Sequence, residues 1–162
     1  MGRAKGFSLI ELLIVLAVIL VITAIAIPNF LRSRVAANEA SAVGSLHAIN
    51  DAEITYNLTY SNPGFACTLS QLGPPSGGGS VGSSGAGLID GALASGTKSG
   101  YNFTPGTCTS ASGSSIITSY QWLADPVSTG YTGQRHFCTD SSSVIKFDPN
   151  SSSTCVASGT PI

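Results

Sequence analysis

The run from Phe7 to Ile27 constrains this chain more than anything else in it: 21 residues that are almost wholly apolar, with Glu11 the one charge among them. As a helix rising ~1.5 Å per residue, the run spans roughly 30 Å, the thickness of the hydrocarbon core of a bilayer. A secretory signal fits poorly. Its apolar core is ~7–15 residues long and ends in a small-residue cleavage site. Here the run is longer, carries an acid five residues after Gly6, and meets no helix breaker before Pro28. Arg3 and Lys5 precede the run and Arg32 and Arg34 follow it, so charge alone does not set its orientation.

A carboxylate inside a membrane-spanning helix costs about 2.5–3.5 kcal/mol on insertion scales, so Glu11 calls for a partner or a function. Gly6-Phe7-Ser8-Leu9-Ile10-Glu11-Leu12 resembles the class III leader junction of type IV pilins and type II secretion pseudopilins. The resemblance is strong from Gly6 to about Pro28 and looser as far as Tyr60. It implies that a prepilin peptidase and methyltransferase cuts after Gly6 and methylates the new amine of Phe7. It implies that Glu11 is the acid needed for assembly, with the Phe7 amine of a neighbouring subunit as its positive partner. Pro28 falls where the helix of that family kinks; proline removes a donor and crowds the carbonyl of Ala24. The expected organisation is a leader over 1–6, a transmembrane and filament-core helix over 7–28, an amphipathic helix over 29–60 and a head over 61–162. The implied partners are copies of the same chain and an inner-membrane assembly platform. The implied location is the inner membrane, amino terminus in the cytoplasm, before assembly into an extracellular filament.

Pro28 to about Leu58 reads as a continuation of the helix. Leu31, Val35, Ala42, Leu46, Ile49 and Tyr56 share one face, with Glu53 an imperfection on it, and with Arg32, Glu39 and Asn50 flanking it. His47 and Asp51 fall opposite. Ala36, Ala37, Ala40, Ser41, Gly44 and Ser45 allow close helix packing. Asn62-Pro63-Gly64 ends the helix in a turn. A short ordered segment is expected over Phe65 to Leu72, a flexible Gly/Ser loop over 73–87, and a short helix over Leu88 to Leu93. Alternation predicts strands at Tyr101–Phe103, Ile116–Asp125, Arg135–Thr139 and Ser143–Phe147, in an antiparallel sheet over about 100–148. The fold class is α+β: a long amino-terminal hydrophobic helix packed on a small antiparallel meander, which also matches the arrangement of the family it resembles.

The head offers little chemistry. Only 9% of the chain is charged, against ~25% in a typical soluble domain, and the net charge is −1. No basic block points to nucleic acid. Four cysteines beyond a membrane segment read as two disulfides in an oxidising compartment. Three pairings are open; Cys67 with Cys108 and Cys138 with Cys155 is the preferred one. Neither His47 nor His136 completes a zinc-like spacing. Asp140 and Asp148 are thin candidates for Ca²⁺ and read better as turn aspartates. Gly78-Gly79-Ser80-Val81-Gly82 matches a nucleophile pattern formally but lies in a Gly/Ser loop, not between a strand and a helix. No cofactor and no catalytic set are expected. The function expected is that of a major-type pilin. The alternatives are a pseudopilin of a secretion or DNA-uptake system and a membrane-tethered adhesin or ligand-binding head.

Overall fold

The computed structural model describes residues 6–162, so the expected leader, Gly6 apart, lies outside the described residues. The apolar run and the stretch after it form one helix, α1 (Leu9–Thr59). The chain divides into two units, Met1–Arg34 and Val35–Ile162, and α1 contributes to both.

In the first unit the side chains from Phe7 to Ile22 are all exposed in the isolated chain. A surface this apolar is stable only in lipid or against other protein. Thr23 turns its hydroxyl back to the Leu20 carbonyl at 3.1 Å, and the Asn29 amide reaches the Ile25 carbonyl at 3.3 Å. Both side chains thus satisfy their polar atoms on the helix itself. Helical backbone continues through Pro28, so the weakening expected there is not a break in this state.

In the second unit α1 buries Glu39, Ala42, Leu46, Ile49, Glu53 and Tyr56, alternating three and four residues apart, together with Ser45, Asn50 and Ala52. The expected stripe is therefore right at Ala42, Leu46, Ile49 and Tyr56. It needs correction elsewhere. Leu31 is 48% exposed, Val35 is half-buried, and Glu39 and Asn50 are buried instead of flanking. Glu53 is no imperfection: it occupies a core position.

The sheet that α1 covers has six strands: β1 (Thr97–Lys98), β2 (Tyr101–Pro105), β5 (Gln121–Pro126), β6 (His136–Asp140), β7 (Lys146–Asp148) and β8 (Thr160–Pro161). Their order is β1-β2-β5-β6-β7-β8, every pair antiparallel. Phe103, Ala124, Phe137 and Phe147 lie opposite one another in register, as do Trp122 and Thr139. Tyr101, Phe103, Trp122, Ala124 and Phe137 join Ala42, Leu46, Ile49 and Tyr56 in one core. Burial alternates along β5, with Trp122, Ala124 and Pro126 inward, as a half-covered sheet requires.

Three expectations shift. The strand expected over Ile116–Asp125 is two strands: β4 (Ile117–Ser119) pairs with β3 (Thr109–Ser110) in a separate hairpin, and β5 begins only after Tyr120. Tyr120 is buried, and its hydroxyl donates to Asn50 Oδ1 at 3.2 Å, which turns the chain inward there. The strand expected from Ser143 starts at Lys146, because Ser143 sits at φ +60° in the turn that follows β6. The sheet runs past residue 148: the unforeseen α4 (Ser152–Ser158) covers its outer face beside Cys138, and β8 closes the edge.

The connection before the sheet is more ordered than its composition implies. α2 (Leu69–Leu72) and α3 (Gly91–Ala94) are single turns. The far end of the 73–87 loop is fastened by Ala86 and Gly87 amides to the carbonyls of Gln71 and Gly73, both at 2.8 Å. Ser76–Gly78 makes one 3₁₀ turn in the loop. Gly64 takes φ +76° where the backbone of Ile117 approaches too closely for a Cβ, so the turn after α1 requires glycine.

Candidate functional site

Gly6, Phe7 and Ser8 precede the first turn of α1 and adopt no regular structure. Phe7 is 80% exposed, and the space where a Cβ on Gly6 would project is open. The Gly6–Phe7 peptide is thus reachable from all sides, which hydrolysis by a second protein demands. Glu11 lies in the first turn, and its Oε2 accepts the Ser8 N–H at 2.9 Å. An acid three residues after a serine at a helix start is a capping pattern. It was legible as Ser8-Leu-Ile-Glu11, and it gives the carboxylate a local partner at the positive end of the helix.

The four cysteines form Cys67–Cys108 and Cys138–Cys155, with Cα–Cα distances of 6.1 and 5.9 Å. The first joins the segment after α1 to the residue before β3; the second ties α4 to β6. Asp140 and Asp148 serve turns. Asp140 accepts the Ser142 N–H at 2.8 Å, and Asp148 accepts the Asn150 N–H at 2.8 Å and the Thr154 hydroxyl at 3.0 Å. Hydrogen bonds from the Asn150 amide and the Thr154 hydroxyl hold the Asp148 carboxyl below its ordinary range. His47 is exposed on α1; His136 pairs with Asp125, whose other oxygen accepts from Ser152. The serine therefore bonds the carboxylate, not the imidazole, and the three do not form a nucleophile–base relay. Ser80 is exposed in its loop, with neither strand nor helix beside it.

Sequence reading missed the polar groups that bind α1 to the sheet. Glu39 Oε1 accepts the Gln134 and Arg135 amides at 2.9 and 3.2 Å, and Oε2 takes the Arg135 Nε and Nη2, each at 2.8 Å. Burial acts to raise this carboxyl, and the Gln134 and Arg135 hydrogen bonds outweigh it and hold it below the usual carboxylate range. Asn50 donates to Thr139 Oγ1 at 3.0 Å and to the Ser143 carbonyl at 3.2 Å. Glu53 is fully buried; it accepts the Trp122 Nε1–H and the Ala66 N–H, both at 2.8 Å. Burial pushes its carboxyl up to about 7 against the pull of those two donors. The signal that could have found these acids is their place in the three-four spacing of α1.

Residues 1–27 match the family described as the prokaryotic N-terminal methylation motif. A 52-residue stretch, 32% of the chain, is 50% identical to the type IV wide pilus major component PilA4 of Thermus thermophilus. A 54-residue stretch, 33% of the chain, is 41% identical to the type IV major pilin protein PilA of Myxococcus xanthus. The matched stretches span 37% and 24% of those two proteins, well under two thirds of either. No solved structure matches the chain. With a methylation motif over its first 27 residues and about a third of its length shared with pilins, the chain carries the amino-terminal segment of the type IV pilin family.

Proposed function

We propose that this chain is the structural subunit, of the major-pilin kind, of a type IV pilus. A prepilin peptidase cuts after Gly6 and the Phe7 amine is methylated. The segment from Phe7 to Pro28 then holds the subunit in the inner membrane, amino terminus in the cytoplasm, until an assembly platform moves it into an extracellular filament. The observation that carries the reading is the union in α1 of a methylation motif, an apolar surface exposed from Phe7 to Ile22, and a core face that holds up the sheet.

Leaving lipid costs such a helix its apolar solvent, and packing against identical helices offsets that by burying the same surface. A buried carboxylate at Glu11 requires a cation, and the methylated amine of Phe7 on an adjacent subunit is the one the family resemblance supplies. That pair fixes the stagger between neighbours, since a one-turn slip leaves both charges alone.

The test is intact-mass analysis of envelope-derived protein, paired with labelling of surface filaments by an antibody to this head. A mass lacking Met1–Gly6 with one added methyl, and labelled filaments outside the cell, are expected. A dominant species that begins at Met1 would overturn the reading in favour of a tethered head. Processed protein confined to the periplasm would replace it with a pseudopilin.

A further inference from the structure

The head contains one acid whose position fits neither the filament core nor surface polarity. Glu53 lies on the core face of α1 with no part of it exposed. Its two oxygens are held by different elements: Oε1 by the indole N–H of Trp122 in β5, Oε2 by the amide of Ala66 in the segment between α1 and α2. The groups facing it are Tyr56 on α1, whose hydroxyl bonds the Ser83 carbonyl and the Gln71 amide of α2, and Tyr120 ahead of β5, bonded to Asn50. Asp51 is the nearest other acid on α1 and is exposed. The ion pairs among the described residues are Lys98–Asp90, Arg135–Glu39, His136–Asp125 and Lys146–Asp140. None of them reaches Glu53. A carboxylate in this position is a buried charge balanced by two N–H donors alone.

We propose that Glu53 is a proton-operated latch: with its carboxyl protonated the segment from Pro63 to Leu72 stays docked on α1, and ionisation releases that segment together with the β3–β4 hairpin. The inference concerns the head alone and stands or falls apart from the filament reading.

The geometry defines the part that moves. Ile117 of β4 donates to the Pro63 carbonyl at 2.9 Å and accepts from the Phe65 amide at 3.2 Å, and Cys67 is bonded to Cys108. The segment and the hairpin are therefore joined to each other. α1, β5 and Trp122 belong to the central core and stay. Ala66 is the contact between the two parts that the carboxyl makes. Burial raises the Glu53 carboxyl to about 7, so the latch changes state near neutral pH. The open segment exposes a carboxyl with an ordinary value near ~4.3, and linkage then sets the sign. Opening becomes easier as pH rises between those two values and levels off above the upper one.

Trp122 is the only tryptophan in the chain and donates directly to the titrating group, so it reports on the latch. The experiment uses the full chain in detergent micelles. The indole N–H resonance of Trp122 is followed from about pH 5 to about pH 8, alongside hydrogen exchange of the 63–72 segment corrected for intrinsic rates. The expected result is an indole titration centred near 7 and a tens-fold loss of segment protection across that range. Glu53→Gln should abolish both pH dependences, whatever its absolute stability. An indole resonance that stays flat in the unaltered protein would overturn the latch. So would protection that is independent of pH, or that keeps its pH dependence in Glu53→Gln.

Discussion

Replacing Cys138 and Cys155 together by alanine should destabilise the head by about 3 kcal/mol. The two residues are 17 apart in sequence and both are fully buried, one in β6 and one in α4. Cross-linking that loop removes chain entropy from the unfolded state, and for about 18 residues the loss corresponds to about 3 kcal/mol at 25 °C. Three native contacts hold α4 independently: Lys146 Nζ to the Val156 carbonyl at 2.7 Å, Ser152 to Asp125 at 2.9 Å and Thr154 to Asp148 at 3.0 Å. The variant should therefore fold to the same structure, with the loss arising in the unfolded chain. With an unfolding entropy of ~2.1 cal/mol/K per residue over a head of about 130 residues, the midpoint should fall by roughly 10 °C. The assay is thermal unfolding of the full chain in micelles, read by Trp122 fluorescence so that the micelle-bound helix does not mask the transition. Reduction of the unaltered protein should not lower the midpoint less than the variant does, because it also opens Cys67–Cys108, whose longer loop of about 42 residues corresponds to about 4 kcal/mol. A variant within about 1 kcal/mol of the parent, or a parent with four titratable thiols, would refute the reasoning.

Other outcomes follow from the same structure. Glu11→Ala should leave membrane insertion and cleavage intact, since the anchor only becomes more apolar, yet sharply reduce filaments; normal piliation by processed variant subunits would show that the Ser8 cap is all Glu11 provides. Glu39→Gln should cost about 1–3 kcal/mol near neutral pH, measured by urea unfolding, because the bidentate bond to Arg135 is lost. The Glu39 carboxyl is held below its ordinary value, so its contribution is present above the unfolded value and disappears as pH falls through the folded one. Glu53 acts in the opposite sense, lowering stability as pH rises from its ordinary value toward about 7. A stability curve with its maximum between those two windows, losing its acid limb in Glu39→Gln and its alkaline decline in Glu53→Gln, is the expected pattern.

The parts of the fold that sequence reveals are those whose cause is local. The apolar run, its acid and the glycine before it need no distant partner to be read. The alternation through Tyr120, Trp122 and Ala124 likewise marks a sheet face. What stayed hidden depends on residues far along the chain. Glu39 is buried because Gln134 and Arg135 come to it, Asn50 because of Thr139 and Ser143, and Glu53 because of Ala66 and Trp122. Read by hydrophobicity, each looks like a solvent residue. α4 was hidden for a related reason: Ser-Ser-Thr is a weak helix former, and what holds the turn is the Ser151 cap at its start and Cys155 in its middle.

These three side chains also explain how one helix can serve two surroundings. Before Arg34, α1 is apolar and could slide along any apolar neighbour, so register there has to come from Glu11. After Val35 the helix must sit in one register on one sheet, and a face of Ala42, Leu46 and Ile49 alone would tolerate a shift by a turn. Glu39, Asn50 and Glu53 forbid it. Each meets donors or acceptors from a different place on the head, and a one-turn slip would leave all three buried without partners, at a cost of several kcal/mol. The polar residues that blur the amphipathic pattern are thus what makes the docking of α1 unique. A triple replacement by apolar residues of similar size should give a head that is no less stable but slips in register, seen as doubled Trp122 indole resonances; a single sharp resonance from that variant would show that apolar packing alone sets the register.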